Sequence, residues 1–596
     1  MKEKTNIGLK EELVPRMKKW LLITNLYELD QVVEKLKIAR VMAIDTETTG
    51  LDPYRAKLRL IQIAVENETT VILDCFKLLP EGLEQLREIM QSKAIKVFQN
   101  AKFDIQFLET SGIVVSGNLF DTMIAAQLLR TSGGPKKVGL GQLAEHFLGE
   151  TMSKEEQTSD FSGELSITQL DYAAKDAEVL LRLREEMLIE FKRNKLLEVA
   201  RLEFVCVYAV ASMEYSGIYV DLNKVKKLTS EIEKDRDKAL EELYPYIGYP
   251  TEQMGMFESK TSNHFNLNSN KQVLKLLSDF GINVENASRH TLASYENHQM
   301  VSSLLKYRHA TKALTTFLYT IPEQINPITN RLHPRYGQNG AWSGRMSCVG
   351  PNIQAIPREK AFRDCFIAPK GRKLVIADYS QIELRVIAEF SGDKRMIEAY
   401  KNKEDLHKLT ASLILQKEQN MITKAERQAA KAVNFGLVFG MGAKGLKTYA
   451  SETYGTNMTM EEAELFKKRF FSAYKGVDLW HQHIRKTMPT SSRTLSGRKH
   501  NYSSDSGISG RYNTPIQGSA ADILKNALGM LYISLKDTDT KIVAVVHDEI
   551  VLECDENRAQ ETAELLTEIM ESAGRRYMKD VPVVAEAGIA DSWADK

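Results

Sequence analysis

Short apolar runs alternate with turns between residues 40 and 75 of the chain. The runs RVMAIDTE, LRLIQIAV and TTVILD have the length and β-branched content of strands, and IKVFQ adds another short strand. From about residue 81 to 190 the apolar positions instead recur at helical spacing. The pattern therefore predicts a compact α/β domain in the first third of the chain.

Helical spacing also dominates residues 190–325, which are rich in Lys and Glu, and residues 405–500. Between them, RKLVIAD (372–378) reads as a buried strand that runs directly into the helical pattern of YSQIELRVIAEFS. The segment KIVAVVHDEIVLEC (541–554) reads as two apolar strands with His547, Asp548 and Glu549 between them. This order predicts a mixed α+β domain whose two halves are separated in sequence by a helical insertion.

Size and charge narrow the class of protein. A chain of 596 residues is too long for one core, so several domains are expected. The net charge is only +1, but residues 260–360 hold 12 Lys and Arg against 5 Asp and Glu. That excess indicates either a solvated basic face or a surface that follows phosphates.

Cysteine usage and hydropathy indicate the compartment. The five cysteines are scattered without a C-x-x-C pair, which fits a reducing compartment better than a disulfide framework or a zinc site. No stretch of about 18 apolar residues exists, and the basic N-terminus has too short an apolar run for a signal peptide. We expect a protein that does not span a membrane and acts in the cytoplasm, of a cell or of a virus-infected host.

A first acidic cluster begins in AIDTETTGL. Asp45 and Glu47 are two apart on a predicted strand, so both side chains point to one face, where like charges destabilise a structural sheet. A divalent cation removes that penalty, and Mg²⁺ prefers carboxylate oxygens. Downstream, Asn100 and Asp104 have helical i,i+4 spacing. Each could instead be an ordinary surface side chain.

Tyr172 and Asp176 in YAAKD have the same helical spacing, and alone they could be a hydrogen-bonded pair on a helix surface. With AIDTETTGL and NAKFD, in this order, they resemble the three motifs of the DEDD exonucleases in the variant with a tyrosine base. The resemblance implies two metal ions held by Asp45, Glu47, Asp104 and Asp176, with Tyr172 orienting the attacking water. Asp121 matches a further acidic position of uncertain role.

A second acidic cluster explains the charged bend in residues 541–554. Asp378 ends an apolar strand, and Asp548 lies at the bend, so adjacent strand ends would place both carboxylates around a shared pair of cations about 4 Å apart. Between them in sequence, one predicted helix carries two cations followed by two aromatic rings at i,i+4 steps: Arg427, Lys431, Phe435 and Phe439. That stripe is typical of an amphipathic helix, and it also suits a nucleotide triphosphate with a ring against its base or sugar.

These segments resemble motifs A, B and C of the family A DNA polymerases: DYSQIELR, RQAAKAVNFG and VHDE. Supporting matches are FNLNSNKQ, SGRMSCVGPNIQAIP, DLHKLTA and NTPIQGSAADILK. The resemblance implies a ribonuclease H-like α/β exonuclease domain followed by an α+β right-hand polymerase, with no room for an N-terminal flap nuclease. The implied domains are an exonuclease (1–190), a thumb and the start of the polymerase (191–330), a first palm part (331–404), fingers (405–505) and a second palm part (506–596).

The resemblance also implies the roles of individual residues. Two Mg²⁺ ions would be held by Asp378, Tyr379 and Asp548, with Mn²⁺ as a possible substitute. Glu549 would be an accessory acid near the primer end. Lys431 would protonate the leaving pyrophosphate, and Glu383 would block a ribose 2′-hydroxyl. The implied contacts to the incoming nucleotide are Arg427, Lys431, Phe435, Phe439, Gln381, Glu383 and His407. The implied contacts to the primer–template are Arg345, Asn352, Gln354, Asn513, Gln517 and His547, which would read groove acceptors that all base pairs share.

The chain departs from the family pattern at two places. Phe439 stands where tyrosine is usual, which removes a possible hydrogen bond to Glu383 and predicts weaker exclusion of ribonucleotides. Ser509 stands where an arginine is usual, and Arg511 lies only two residues before Asn513. GMGAKG (440–445) satisfies G-x-G-x-x-G but follows a helix, so it is not a dinucleotide fingerprint.

Three functions follow as hypotheses. The leading one is a monomeric, templated DNA polymerase with a proofreading 3′–5′ exonuclease, whose partners are primer–template DNA and deoxynucleotides. The second is a nuclease whose C-terminal region only grips nucleic acid. The third is a binding or scaffold protein, which has no use for two separate carboxylate clusters.

Overall fold

The computed structural model describes residues 20–153, 156, 158–248 and 265–595. Residues 1–19 of the N-terminal segment judged against signal peptides, and the polar loop immediately before FNLNSNKQ, lie outside these residues. The chain divides into two compact units, Met1–Val205 and Cys206–Lys596. None of the helices in the described ranges has the length and apolar composition needed to cross a lipid bilayer.

The first unit is built on a six-stranded sheet. Its strands are β1 (Trp20–Ile23), β2 (Val41–Thr48), β3 (Leu58–Ala64), β4 (Thr70–Asp74), β5 (Ile95–Phe98) and β6 (Leu119–Asp121). The strand order is β1-β4-β3-β2-β5-β6, and β3 runs antiparallel to both of its neighbours while the other pairs are parallel. The central strands are almost continuously apolar because helices cover the sheet.

Helices surround this sheet, and one of them crosses its centre. They are α1 (Leu26–Lys37), α2 (Cys75–Leu78), α3 (Leu83–Met90), α4 (Ala101–Thr110), α5 (Thr122–Arg130), α6 (Leu140–Leu148) and α7 (Ile167–Asn194). Helix α8 (Leu197–Ser216) begins in the first unit and ends in the second. Helix α7 packs across β2 to β5, and Leu170 and Ala174 bury Leu60 and Ile72 beneath it. Ser166 starts α7 with a capping box to Gln169.

The second unit contains a four-stranded antiparallel sheet drawn from distant segments. Five short strands of this unit form separate small sheets: β7 (Ile218–Tyr219), β8 (Ile325–Asn326), β9 (Arg331–Leu332), β10 (Arg335–Gly337) and β11 (Ser347–Val349). The main sheet and a hairpin use β12 (Arg372–Tyr379), β13 (Ser491–Arg493), β14 (Lys499–Asn501), β15 (Lys541–Val546), β16 (Glu549–Asp555) and β17 (Ala585–Ala590). The main sheet has the order β15-β16-β12-β17, so the strand before the helical insertion lies between strands that follow it.

The remaining helices of the second unit fall into three groups. Those before the main sheet are α9 (Leu222–Ile247), α10 (Asn270–Asp279), α11 (Arg289–Ala293), α12 (Gln299–Ala313), α13 (Thr320–Gln324) and α14 (Lys360–Arg363). The insertion holds α15 (Ile382–Ser391), α16 (Lys394–Lys401), α17 (Leu406–Leu415), α18 (Lys424–Val438), α19 (Ala443–Tyr454), α20 (Met460–Ala473) and α21 (Lys475–Thr487). The last two, α22 (Ile508–Leu535) and α23 (Ala559–Arg575), pack on each other, and α23 also packs on the main sheet.

Candidate active sites

The first unit brings the predicted exonuclease acids together. Asp45 and Glu47 lie on the face of β2 that α7 covers, because Leu60, the partner of Glu47 across the strands, packs against α7. Burial raises the pKa of the Asp45 carboxyl well above its usual range, and the charges of Asp104, Glu47 and Asp176 raise it further. Burial, Asp176 and Asp104 likewise raise the pKa of Glu47 to about 8. Four carboxyl groups therefore share one poorly solvated site.

Tyr172 lies at the same site, one turn before Asp176 on α7. Its hydroxyl hydrogen-bonds Asp176, and burial together with the charges of Asp176, Glu47 and Asp45 raises the pKa of the phenol. The phenol is therefore protonated at neutral pH. It can orient a water molecule by hydrogen bonding.

Asp104 and Asn100 differ from a simple helix-surface pair. Asn100 precedes α4 with a φ of 62°, so it is not on the helix with Asp104, and the i,i+4 reading of this pair was wrong. Asp104 is buried, not a surface carboxylate, and accepts a 2.6 Å hydrogen bond from the Thr46 hydroxyl. Thr46 lies between Asp45 and Glu47, so the β2 motif holds Asp104 in place as well as supplying acids.

Asp121, whose role the sequence left uncertain, joins two helix N-termini. Its carboxylate accepts from the backbone amides of Asn100 (3.3 Å) and Ala101 (2.8 Å) at the start of α4. It also accepts from Ile124 at 3.0 Å as the N-cap of α5. These bonds satisfy amides that a helix start leaves without partners. Asp121 is a structural carboxylate beside the acidic site.

The second unit brings Asp378 and Asp548 together at one end of the inner strands of the main sheet. Asp378 is the penultimate residue of β12, and its neighbour Tyr379 donates its backbone amide to the carbonyl of Asp548 at 3.3 Å. The turn between β15 and β16 consists of His547 and Asp548, and His547 takes the positive φ of 59° that glycine usually supplies. Burial and the charge of Asp378 raise the pKa of Asp548 to about 7.

Glu549 and Tyr379 are held differently from the two aspartates. Glu549 is the first residue of β16, not part of the bend, and is paired with Asp378 across the strands. Its Oε1 accepts from the Trp593 indole at 2.6 Å and lies 3.6 Å from the Arg363 guanidinium. The Tyr379 hydroxyl donates to the Met570 carbonyl in the core. Because this hydroxyl is bound in the core, the atom of Tyr379 that could bind a metal ion is its backbone carbonyl oxygen.

Both acid sets suit a hard divalent cation. Carboxylate oxygens are the ligands that Mg²⁺ prefers, and burying several of them together raises their pKa values as described, a cost that a cation would relieve. Among the described residues, no group of three or more His, Cys, Asp or Glu side chains is arranged to hold a metal ion by itself. Mg²⁺ sites commonly use one or two carboxylates and complete their shell with water and phosphate.

Helix α18 presents the predicted stripe. A capping box between Thr423 and Glu426 starts the helix, and Arg427, Lys431 and Phe435 follow on successive turns. Phe439 is the C-cap residue rather than a helical one, so the stripe ends where the helix does. Arg427 is fixed by a 2.6 Å ion pair with Asp405, the N-cap of α17.

His407 lies beneath this stripe rather than at its surface. Its Nδ1 lies 2.8 Å from the Asn434 amide, and its ring centroid lies 6.0 Å from that of Phe435. Burial lowers the pKa of His407 to about 4, so the imidazole is neutral at pH 7. With Asn434 donating to Nδ1, the remaining nitrogen, Nε2, carries the proton.

Glu383 forms an ion pair that the sequence did not predict. Its carboxylate contacts the guanidinium of Arg345, and Glu383 lies in the first turn of α15. Gln381, with a φ of 55°, precedes that helix and accepts from the Tyr400 hydroxyl at 3.3 Å. Arg345, which is expected to contact the primer–template, is therefore in contact with Glu383, which is expected to exclude ribose.

The other predicted DNA contacts lie on two elements and a turn. Asn513 and Gln517 are one turn apart on α22 and are half-buried, while Asn352 and His547 are exposed and Gln354 is half-buried. Arg511 is buried and donates to the carbonyls of Pro489 (3.0 Å) and Gly507 (3.2 Å). These bonds brace the loop before α22.

Sequence reasoning missed the partners that hold these sites, namely Thr46, Asp405, Arg363 and Trp593. DLHK and AIDTETTGL contained two of them inside quoted motifs. Trp593 and Arg363 lie far in sequence from Glu549, and no local pattern marks them.

Comparisons with known proteins agree with these two sites. The family model described as DNA polymerase family A matches residues 227–595, and the one described as 3'-5' exonuclease matches residues 21–192. The chain therefore belongs to DNA polymerase family A. It is an enzyme of the DNA polymerase I type with an N-terminal 3′–5′ exonuclease domain and a polymerase domain, which confirms the predicted family, the predicted fold class and the prediction of a DNA polymerase with a 3′–5′ exonuclease.

Individual relatives extend the likeness over most of the chain. DNA polymerase I of Aquifex aeolicus is 35% identical over 95% of this chain and 98% of its own length. DNA polymerase I of Pseudomonas aeruginosa is 30% identical, and the match covers 95% of this chain but 64% of that protein. A solved structure described as "POL domain of Pol1 from M. smegmatis complex with DNA primer-template and dNTP" is 27% identical with a TM-score of 0.80, covering 95% of this chain and 98% of that one.

Proposed function

We propose that the second unit extends a DNA primer by attack of its 3′-hydroxyl on the α-phosphate of a deoxynucleotide, with release of pyrophosphate. The observation that carries this proposal is the meeting of Asp378 and Asp548 at neighbouring strand ends, where the charge of Asp378 raises the pKa of Asp548. These two carboxylates and the Tyr379 carbonyl would hold Mg²⁺, two ions in all, which when bound would neutralise phosphate charge and orient the reacting oxygens. Mn²⁺ is a possible substitute.

The groups predicted to bind the incoming nucleotide have separate tasks. Arg427 and Lys431 donate to the β- and γ-phosphates, and Lys431 gives its proton to the leaving pyrophosphate. Asp405 supports this role because it fixes the Arg427 guanidinium. Neutral His407 donates a hydrogen bond from Nε2 to the phosphates of the nucleotide. The ring of Phe435 packs against the nucleotide.

Other residues select the sugar and bind the duplex. Glu383 occupies the space of a ribose 2′-hydroxyl, and Phe439 and Gln381 contact the incoming nucleotide. Arg345, Asn352, Gln354, Asn513, Gln517 and His547 contact the primer–template, and Glu549 acts near the primer end. Support comes from the positions of Asn513 and Gln517 on one face of α22 and from the exposure of Asn352 and His547.

We propose that the first unit trims the primer 3′ end. Asp45, Glu47, Asp104 and Asp176 would hold Mg²⁺, and Tyr172 would orient the attacking water through its protonated hydroxyl. The enzyme would act as a monomer in the cytoplasm, and its five buried, free cysteines fit a reducing compartment.

A primer-extension assay tests both proposals in one gel. The whole enzyme is given Mg²⁺ and a labelled primer–template, with or without deoxynucleotides. Asp378→Asn should reduce extension by more than about 100-fold and leave trimming intact, whereas Asp45→Asn should do the reverse. Loss of extension of a matched primer in Asp45→Asn would contradict two separate sites.

A further inference from the structure

Trp342 is an exposed tryptophan outside every predicted contact. The chain has four tryptophans. Trp20 and Trp593 are buried and Trp480 is half-buried, but 49% of Trp342 is exposed. A large exposed ring on an ordered loop is typical of a binding surface, because water disfavours it and packing does not need it.

The loop that carries Trp342 is held firmly from below. The buried guanidinium of Arg498 forms an ion pair with Asp522 at 2.6 Å and also donates to the side chain of Asn339 at 2.9 Å. The ammonium of Lys525 donates to the same Asn339 oxygen at 2.8 Å. At the other end of the loop, a side chain at Gly344 would meet Arg498 within 2.8 Å. A buried network of an ion pair and hydrogen bonds of this kind holds a loop in one conformation.

The held loop lies beside the predicted DNA-binding face of α22. A Cβ at Gly518, the residue after Gln517, would come within 2.8 Å of the Ser343 carbonyl, so glycine is needed for this approach. The Trp342 ring centroid lies 6.3 Å from that of His500 on β14. Arg345 follows three residues later. Trp342 therefore lies among residues expected to contact the primer–template, although no motif assigns it a role.

The charge around the ring favours a polyanion as its partner. Residues 331–350 and 491–502, which supply the loop and the neighbouring hairpin, contain six Lys and Arg and no Asp or Glu. Three of these cations are paired with acids from other segments, Arg331 with Glu553, Arg345 with Glu383 and Arg498 with Asp522, and the two segments themselves supply no acid. Cations around an exposed aromatic ring are the combination that binds nucleic acid by stacking and phosphate contact.

We propose that Trp342 is a DNA contact of this enzyme, packing its ring on a sugar or base of the primer–template near Arg345. This inference rests on the proposed polymerase function. It adds a residue that the family motifs do not include. The neighbouring cations supply the phosphate contacts, and Trp342 supplies apolar contact that does not depend on sequence.

Fluorescence and binding on the whole enzyme test the proposal. Primer–template without deoxynucleotides should protect part of the tryptophan emission from acrylamide, and this protection should vanish in Trp342→Phe. Trp342→Ala should raise the Kd for labelled primer–template about tenfold, whereas Trp342→Phe should stay within about twofold. The slope of log Kd against log salt should not change, because Trp342 neutralises no phosphate.

Controls separate this inference from its alternatives. Ile533→Ala removes another exposed apolar side chain of the same unit and should leave Kd unchanged. Trp342→Gln should repeat the alanine result if the alanine variant unfolds. Unchanged Kd and unchanged acrylamide protection, or loss of self-association instead of DNA binding, would overturn the proposal. Failure of the unmodified enzyme to bind primer–template would refute the proposed function itself.

Discussion

The burial and the neighbouring carboxylates that suit Asp45 and Glu47 to binding a cation also destabilise their charged forms when no cation is bound. A carboxyl whose pKa is higher in the folded than in the unfolded chain binds its proton more tightly when folded. The folded state is therefore favoured at low pH and loses stability as pH rises through that interval. For Glu47 the interval runs from about 4.3 in the unfolded chain to about 8 in the folded chain.

We expect the first unit to lose thermal stability between pH 5 and 8.5 in the absence of Mg²⁺. Asp45→Asn removes one of the buried like charges and should stabilise the Mg²⁺-free unit at pH 8 by about 1 kcal/mol, or about 2–4 °C in Tm. Mg²⁺ should restore the lost stability in the unmodified chain and much less in the variant. Glu164→Gln, an exposed change in the same unit, is the matched control. A variant that melts at a lower temperature than the unmodified chain would contradict this account.

Phe439 removes a hydrogen bond from the proposed ribose barrier. Phe439→Tyr should raise the preference for dGTP over GTP by about fivefold, the value of one hydrogen bond of about 1 kcal/mol. The effect should be limited because Arg345 already contacts Glu383. Single-nucleotide incorporation of dGTP and GTP measures the ratio, and an unchanged ratio would reject the hypothesis.

Residue types in short motifs were predictable, but their partners were not. Alternation along a strand placed Asp45 and Glu47 on one face, and the strand-end position placed Asp378. The burial of Asp104 and the indole bonded to Glu549 arise from tertiary packing. Asn100 was misread because helical spacing cannot reveal that a helix begins one residue later.

At the scale of elements, one carboxylate sets the start of two helices. Asp121 ends β6, caps α5 and accepts two amides at the start of α4. Because α4 carries Asp104, this link connects the sheet edge to the acidic site. Family resemblance alone could not separate such a bracing role from metal binding, because both need a carboxylate.

Asp121→Ala should leave three amides without an acceptor and destabilise the first unit by about 2–4 kcal/mol. Asp121→Asn keeps one acceptor oxygen and should cost less. Denaturant unfolding followed by fluorescence of Trp20, the one tryptophan of that unit, measures the loss. Primer extension should persist in both variants. Loss of trimming in Asp121→Asn without any loss of stability would instead indicate a metal ligand.

At the scale of the whole molecule, the polymerase site depends on the end of the chain. Strand β17 lies beside β12, and Trp593 donates to Glu549 while its ring lies 4.8 Å from the guanidinium carbon of Arg363. The sequence predicted a split domain but not this closure. The last residues carry no motif, and their partners are brought to them only by folding.

Trp593→Phe keeps an aromatic ring but removes the hydrogen bond to Glu549. We expect primer extension to fall by about tenfold, the usual effect of losing a partner that orients an active-site group. Trimming by the first unit should be unchanged. Trp480→Phe, which alters a half-buried tryptophan elsewhere, serves as the control. Equal extension by Trp593→Phe and the unmodified enzyme would show that Glu549 needs no such support.

The split main sheet also has a consequence for protein synthesis. All four predicted exonuclease acids have been translated by residue 176, whereas Asp548 follows Asp378 by 170 residues and β17 is later still. On the proposed function, translation that stops early releases a polypeptide able to degrade primer ends and unable to rebuild them. Truncated products would therefore threaten the genome rather than be inert, and rapid proteolysis of them would benefit the cell.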